Sequence, residues 1–180
     1  MILTAGCHTD MWVQPKYRTL QEADSTMFRN GMSARSLPVG VVARGFERPD
    51  TEYYTARDAS GKLILKIPMA KVMRELKLNE PRDVLMRGQE MFEAFCSPCH
   101  GRIGDGKGMI ALRGLDLKRT PASYHTKKLR EMPDGHFYDV ITNGFGVMYP
   151  YGPRIVPEDR WAIVSYIRAL QKSQMPGGGG

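Results

Sequence analysis

The chain has 180 residues, of which 42% are apolar, and it carries a net charge of +7 at pH 7. This length is long for one minimal domain and short for two full ones, and no run of residues is apolar and long enough to span a bilayer. No segment shows the interleaved Arg/Lys and aromatic pattern of a nucleic-acid reader, so the positive charge favours an acidic protein partner or an anionic membrane surface.

The first informative residue along the chain is Cys7, which ends the segment Leu3-Thr4-Ala5-Gly6-Cys7. Small residues before a lone N-terminal cysteine resemble the lipobox of bacterial lipoproteins, in which that cysteine becomes a diacylglyceryl-modified N-terminus. Few residues precede Cys7, and they contain no basic region and almost no apolar region of a signal peptide. The alternatives are therefore lipidation of Cys7, with a start upstream of the one given, or an ordinary unpaired thiol. Lipidation would anchor the protein to a membrane without a spanning helix.

The segment after Cys7 is predicted to be irregular. Residues 8–50 contain glycine and proline too often for a long helix. Such a segment cannot bury much surface alone, so we expect it to drape over another surface or to be disordered. We assign residues 1–80 to an N-terminal extension on this basis.

Two β-prone stretches lie near the end of this extension. Residues 51–55 and 62–67 are rich in Tyr, Thr, Ile and Leu, and a loop containing Ser60-Gly61 joins them. This pattern predicts a small β-hairpin that ends at Pro68. A short helix is predicted next, over residues 71–78.

Three amphipathic helices are predicted in the second half of the chain. The first covers residues 81–95, with Pro81 in its first turn. The second opens at Pro133 or Asp134 and continues to Ile141, and the last begins at Pro157 with acidic residues in its first turn, as the helix dipole prefers. Each helix has an apolar stripe. In the first helix it consists of Val84, Leu85, Gly88, Met91, Phe92 and Phe95; in the second, of Phe137, Val140 and Ile141; and in the last, of Trp161, Val164, Ile167 and Leu170.

The motif Cys96-Ser97-Pro98-Cys99-His100 directly follows the first of these helices. Its spacing is typical of covalent c-type haem attachment, in which two thiols bind the vinyl groups of one haem and the adjacent histidine becomes the proximal iron ligand. A zinc site would need two further ligands, yet no cysteine follows Cys99, and His125 and His136 stand alone. A redox dithiol would follow a strand instead of a helix. The motif therefore predicts one haem c and a role in electron transfer.

The order of elements resembles the class I cytochrome c fold: helix, haem motif, glycine-rich loop over residues 101–108, short helix, methionine loop, final helix. The resemblance implies a mainly α cytochrome c domain over residues 81–173. The extension over residues 1–80 precedes it, and residues 174–180 form a flexible tail.

The first and last helices cross in this fold, where a small residue on one lets an aromatic side chain of the other approach closely. By this resemblance, Gly88 and Phe92 would face Trp161 and Tyr166. Simple core packing would place these four residues in the same way.

The second axial ligand has to come from an irregular loop that returns across the other face of the haem. Residues 142–150 contain two glycines and Pro150, which favour such a loop, and Met148 is the predicted ligand. Met132 is the alternative because Pro133 follows it directly, as the family pattern expects, whereas Tyr149 separates Met148 from Pro150. The remaining candidates are Met109, Met175, His125 and His136. With twelve methionines in the chain, most must be packing residues.

The resemblance also implies a haem pocket. A ligating histidine donates its second N–H to a carbonyl, which in related cytochromes belongs to a proline, here Pro121. Propionates need donors, and the candidates are Arg102, Arg113, Arg119, Tyr151, Arg154 and Trp161. The basic residues between Arg113 and Arg130 would rim the haem edge and steer an acidic partner, or they are an ordinary solvated loop.

A narrower resemblance covers nearly the whole chain. The stretches that carry it are residues 7–17, 33–35, 42–45, 96–109 (CSPCHGRIGDGKGM), 133–146 and 157–171. Together they resemble the monohaem cytochrome c subunit of bacterial alternative complex III, a quinol:electron-acceptor oxidoreductase.

The resemblance implies a lipid-anchored subunit on the periplasmic face of the inner membrane, beside a multihaem cytochrome and an iron–sulfur subunit. The haem would relay electrons to a soluble carrier or terminal oxidase, and the chain would have no catalytic residues of its own. The extension would wrap neighbouring subunits. The other hypotheses are a free-standing, lipid-tethered cytochrome c shuttle and a haem peroxidase-type enzyme with an open iron site.

Overall fold

The computed structural model describes residues 11–35, 38–44, 47–113 and 120–174. Cys7, Arg119 and Met175, to which the sequence assigns a lipid anchor, a propionate contact and an alternative ligand, lie outside the described residues. The chain divides into two compact units, Met1–Glu47 and Arg48–Gly180. The second unit thus begins well before Pro81, where the sequence places the start of the cytochrome domain.

The first unit is irregular in its described part, as expected from its glycines and prolines. It contains turns and one isolated antiparallel bridge, between Glu22 and Met32. The Tyr17 and Phe28 rings meet edge to face with centroids 5.8 Å apart. Ala23 is the only buried residue among those described here.

The second unit is helical, and the described residues contain no β-sheet. This confirms the mainly α class. Its helices are α1 Thr51–Thr55, α2 Met69–Leu76, α3 Pro81–Phe95, α4 Ser97–His100, α5 Met109–Leu112, α6 Lys127–Glu131, α7 Asp134–Asn143 and α8 Pro157–Ser173. Within the described ranges, no helix has the length and apolar character needed to cross a membrane.

The predicted β-hairpin is wrong. Residues 51–55 form α1 because Asp50 caps the helix: its carboxylate accepts a hydrogen bond from the backbone N–H of Tyr53 at 3.0 Å. The second stretch forms no strand: its one β-bridge among the described residues joins Arg57 and Leu63. Buried tertiary contacts of Tyr53 thus outweigh the β propensity of its neighbours.

The crossing of α3 and α8 forms the centre of the core. A Cβ on Gly88 would lie 2.0 Å from the carbonyl oxygen of Ala162 and 3.2 Å from the Cβ of Tyr166. The Phe92 and Tyr166 rings pack with centroids 5.2 Å apart. The predicted contact of Gly88 and Phe92 with Tyr166 is therefore confirmed.

Trp161 packs elsewhere in this core, against the segment that precedes α3. Its ring is fully buried and stacks on Tyr138 with centroids 4.2 Å apart. Its Nε1–H donates to the backbone carbonyl of Tyr53 at 2.9 Å. The start of α7 meets the same segment, since the N–H of Gly135 donates to the carbonyl of Ile64 at 3.0 Å. Residues 48–80 therefore complete the core of the second unit.

Candidate haem-binding site

The cysteine–histidine motif forms a helical turn at the end of α3. The N–H of Cys96 still donates to the carbonyl of Phe92, at 2.9 Å. The N–H groups of Cys99 and His100 both donate to the carbonyl of Cys96, at 3.2 and 2.9 Å. This turn fixes the backbone positions of the two cysteines and the histidine relative to one another.

Both thiols are free, and their environment suits a covalent haem better than a metal ion or a redox dithiol. Cys96 is buried, and burial, with a smaller contribution from Cys99, raises the pKa of its thiol to about 12. A thiol with this pKa remains protonated at neutral pH, whereas a reactive dithiol needs a thiolate. Among the described residues, no three His, Cys, Asp or Glu side chains are grouped as a metal site would need. The donor set thus fits two thioether bonds and one imidazole ligand.

The His100 imidazole is oriented by the loop that follows the glycine-rich segment. Its Nδ1–H donates to the carbonyl of Ala122 at 3.1 Å, which leaves Nε2 for the iron. Burial lowers the pKa of His100, and the hydrogen bond to Ala122 partly offsets this. The neutral imidazole, the form that binds metals, is therefore favoured.

The predicted acceptor, Pro121, is wrong by one residue. The Pro121 carbonyl lies against Gly106, where a Cβ would be only 2.5 Å from its oxygen. The next carbonyl, that of Ala122, therefore faces His100.

The glycine-rich loop folds back onto the motif. The N–H of Gly106 donates to the carbonyl of His100 at 2.8 Å, and the N–H of Gly108 donates to that of Cys99 at 3.0 Å. His125 is also engaged by this loop, because its Nε2 lies 2.7 Å from the carbonyl oxygen of Ile103. The motif is therefore held by α3, which precedes it in the chain, and by the glycine-rich loop, which follows it.

Met148 lies in a tight loop between α7 and α8, as the sequence predicts. Phe145 and Met148 exchange two backbone hydrogen bonds of 3.0 Å, and Met148 is half-buried. The base of the loop is closed by a 2.9 Å bond from the N–H of Tyr151 to the carbonyl of Ile141. Ligation of the iron by Met148 remains a prediction.

Met132, the alternative ligand, lies between α6 and α7 and packs against the core. Its carbonyl accepts a hydrogen bond from the guanidinium of Arg168. His136 is a half-buried residue of α7, with its ring 5.6 Å from that of Phe137.

The candidate propionate donors occupy different environments. Trp161 was predicted wrongly, because its indole N–H already donates to Tyr53 and the ring has no exposed surface. Tyr151 is half-buried, 6.4 Å from the Phe95 ring. Arg102, Arg113 and Arg154 are exposed, and Arg102 forms an ion pair of 3.7 Å with Glu93.

The basic residues of α6 are mostly solvated. Lys127 and Lys128 are exposed, whereas Arg130 is half-buried and donates to the carbonyl of Gln174 at 3.3 Å. A role of this run in steering a partner remains a prediction.

Two residues near the site were not predicted from the sequence. Tyr124 is buried, and its ring stacks on the His100 imidazole with centroids 4.8 Å apart. Arg160 is only 2% exposed and bonds to both ends of the Met148 loop. The sequence carries a signal for Arg160, which stands one helical turn before Val164 and beside Trp161 on the apolar stripe of α8. It carries none for the stacking of Tyr124.

Residues 83–167 match a protein-family model described as cytochrome C oxidase, cbb3-type, subunit III. The chain contains a cytochrome c domain. This domain implies a covalently bound c-type haem with iron, and with it electron transfer of the cytochrome c type. Cys96 and Cys99 would hold the haem through thioether bonds and His100 would ligate its iron, which supplies a reversible one-electron couple.

Two solved structures are similar to parts of the chain. One is the Kuenenia stuttgartiensis reducing HAO-like protein complex Kustc0457/Kustc0458, with 21% identity and a TM-score of 0.43 over 52% of this chain and 46% of that one. This chain therefore spans less than half the length of that protein. The other is cytochrome cL from Hyphomicrobium denitrificans, with 20% identity and a TM-score of 0.39 over 69% of this chain and 68% of that one. No curated protein sequence matches the chain.

Proposed function

We propose that this chain is the monohaem electron-transfer subunit of a bacterial quinol:electron-acceptor oxidoreductase of the alternative complex III type. A lipid on Cys7 anchors it to the periplasmic face of the inner membrane. Its haem receives electrons from a multihaem cytochrome or an iron–sulfur subunit of the complex and passes them to a soluble carrier or terminal oxidase. Substrate chemistry takes place in other subunits.

The observation that carries this proposal is the exposed apolar surface of the first unit. The side chains of Val13 and Leu20 are each 84% exposed, and Val39 is fully exposed. Further exposed apolar residues of the same unit are Met11, Trp12, Tyr17, Met27, Met32, Val41 and Val42. So many exposed apolar side chains on an irregular segment are typical of a surface that is covered by another protein. A shuttle that diffuses alone has no use for such a surface.

The charge of this unit suits the same role. Lys16 and Arg18 lie among the exposed apolar residues, and Arg29, Arg35 and Arg44 follow. A partner surface with apolar pockets and acidic residues around them would match this pattern.

The experiment is purification of the tagged chain from membranes of its host in a mild detergent. The haem-containing fraction is identified by its reduced-minus-oxidised spectrum, and the co-purifying subunits are identified by mass spectrometry. The proposal expects a multihaem cytochrome and an iron–sulfur subunit in that fraction. Recovery of the chain alone would favour the lipid-tethered shuttle, and recovery with terminal oxidase subunits alone would place it in an oxidase.

Two matched variants test the surface itself. Val39→Asp changes the first unit, and Val156→Asp changes an exposed valine of the second unit. We expect Val39→Asp to lose the partner subunits while keeping the haem spectrum, and Val156→Asp to keep both. In a separate sample, Cys7→Ala is expected to release the chain from the membrane once the complex is dissociated.

A further inference from the structure

The loop that follows the glycine-rich segment contacts the proximal histidine twice. The carbonyl of Ala122 accepts the hydrogen bond from Nδ1 of His100, at 3.1 Å. Two residues later, the Tyr124 ring lies face to face with the imidazole, with centroids 4.8 Å apart and planes 22° apart. We propose that Tyr124 is a positioning residue for the haem ligand: its stacked ring fixes the rotation of the His100 imidazole and thereby the electronic state of the iron.

The two contacts restrain different motions of the imidazole. The hydrogen bond to Ala122 fixes the position of Nδ1 but allows the ring to tilt about the line that joins the donor and the acceptor. A parallel aromatic ring at this distance opposes that tilt. Tilting would break the offset stack, and the buried Tyr124 ring has no room to rearrange to the edge-to-face contact that aromatic pairs also favour. The orientation of a ligating imidazole is a property that surrounding residues control in metal sites generally.

Tyr124 can restrain His100 because it is itself held on several sides. Its side chain is only 8% exposed, and the rings of Phe92 and Phe137 lie 6.1 and 6.2 Å away by centroid. Its backbone N–H donates to the carbonyl of Gly104 at 2.8 Å.

The backbone carbonyl of Tyr124 is anchored to the last helix. It accepts a hydrogen bond of 2.8 Å from Nε2 of Gln171, a residue of α8 that is 3% exposed. The stacking ring is therefore tied to the crossing of α3 and α8, and the orientation of the ligand is set by the rigid core instead of by the loop alone.

The orientation of an axial imidazole determines which iron d orbital its π system overlaps. This overlap sets the anisotropy of the ferric electron paramagnetic resonance (EPR) spectrum and the order of the haem methyl proton resonances. A residue that only fills space in the core would change the stability and leave both signatures unchanged. These signatures therefore distinguish positioning from packing.

The test uses the purified haem-loaded protein and three variants. Tyr124→Leu removes the stacked ring, Tyr124→Phe keeps it, and Tyr53→Leu removes a buried aromatic ring of the same core that packs on Tyr54 and Trp161 instead of on His100 or Tyr124. We expect Tyr124→Leu to shift and broaden the ferric EPR g values and to reorder the haem methyl resonances. Tyr124→Phe should reproduce the unmodified spectra, and Tyr53→Leu should lower the melting temperature without shifting the g values.

A wild-type measurement keeps the test decisive even if Tyr124→Leu fails to take up haem. In the reduced, diamagnetic protein, cross-relaxation peaks should connect the ring protons of Tyr124 with the imidazole protons of His100. Absence of these peaks, or g values in Tyr124→Leu that equal those of the unmodified protein, would overturn the proposal. The inference rests on ligation of the iron by His100 and not on the membrane complex. A failed Tyr124 test would leave the proposed membrane complex standing, and a failed co-purification would leave the role of Tyr124 standing.

Discussion

Gly88 of α3 and Ala162 of α8 approach so closely that a Cβ on Gly88 would lie 2.0 Å from the Ala162 carbonyl oxygen. No real Cβ tolerates this distance, and the atom it would meet belongs to the backbone of a helix. The separation of α3 and α8 is therefore set by the absence of a side chain at position 88. Since α3 ends at the haem motif, this contact also sets where the motif lies relative to α8.

We expect Gly88→Ala to destabilise the protein. Alanine would improve helix propensity by about 1 kcal/mol, but overpacking of a close contact costs about 1–3 kcal/mol or more. Thermal unfolding of the haem-loaded protein, followed by far-UV circular dichroism, measures the net effect. Gln89→Ala on the exposed side of α3 is the control and should change little. A Gly88→Ala protein as stable as the unmodified one would show that the helices can separate freely.

Arg160 is expected to hold the Met148 loop. Its Nε donates to the carbonyl of Ile155 at 2.8 Å and its Nη1 to the hydroxyl of Thr142 at 2.8 Å, so one side chain bridges both ends of the loop. Replacement by methionine would leave buried acceptors without a donor, at about 1–3 kcal/mol for each group. We expect Arg160→Met to lower the free energy of unfolding by about 2–4 kcal/mol in total. Denaturant titration measures this.

A second readout separates the loop from general stability. If Arg160 holds the loop, Arg160→Met should also weaken the methionine-to-iron charge-transfer absorption of the oxidised protein under native conditions. Arg154→Lys, an exposed change in the same segment, should leave both measurements unchanged. An Arg160→Met protein that loses stability but keeps the full absorption would limit Arg160 to a packing role.

Local signals in the sequence predicted the haem motif and the helices that flank it. Pro81 and Pro157 begin helices in the structure where the sequence places them, because proline suits the first turn and the apolar stripes follow at helical spacing. The loop around Met148 was equally predictable, since glycine and proline exclude regular structure there. The prediction of haem attachment depended on only five consecutive residues, 96–100.

The errors arose where distant contacts decide the structure. Tyr53 and its neighbours have β propensity, but burial of Tyr53 and its contact with Trp161, 108 residues later, favour a helix. The cap by Asp50 acts in the same direction and is the one local signal for this helix. The choice of Ala122 over Pro121 depends on how the loop packs against Gly106, which no local pattern records.

The Tyr53 hydroxyl is buried without a hydrogen-bond partner, so its removal should not harm the protein at neutral pH. Burial is the main cause that raises the pKa of Tyr53 well above its ordinary value of 10.0. The unfolded chain therefore ionises this phenol near pH 10 while the folded protein keeps it neutral. Its contribution to stability is fully present below pH 10 and is lost as the pH rises above it.

Tyr53→Phe should accordingly have equal or slightly higher stability at pH 7 and a growing advantage above pH 10. The advantage should increase by about 1.4 kcal/mol for each pH unit. Denaturant unfolding between pH 7 and pH 11 measures it, with Tyr54→Phe as the control on the neighbouring, half-buried ring. A parallel pH dependence for Tyr53→Phe and the unmodified protein would show that this hydroxyl is accessible to water.

Met148 is expected to be the second axial ligand, and a pair of leucine substitutions tests it against Met132. Met148→Leu should remove a ligand, so the ferric haem becomes high-spin and binds cyanide readily, and the reduced haem binds carbon monoxide readily. Met132→Leu changes a methionine that packs against the core, and should keep the low-spin spectrum. The opposite result would transfer the ligand role to Met132.

The identity of the ligand also fixes the sign of a change in potential. Thioether sulfur favours reduced iron more than imidazole does, and axial ligands tune haem potentials over a range of about 0.8 V. Met148→His should therefore keep a low-spin spectrum while lowering the midpoint potential, as measured by redox titration. A lowered midpoint potential together with a low-spin spectrum requires that residue 148 ligate the iron. The same exchange at a surface residue far from the iron would leave the midpoint potential nearly unchanged. If the unmodified protein is already high-spin and its reduced form binds carbon monoxide, the iron site is open and a peroxidase-type activity becomes the better hypothesis.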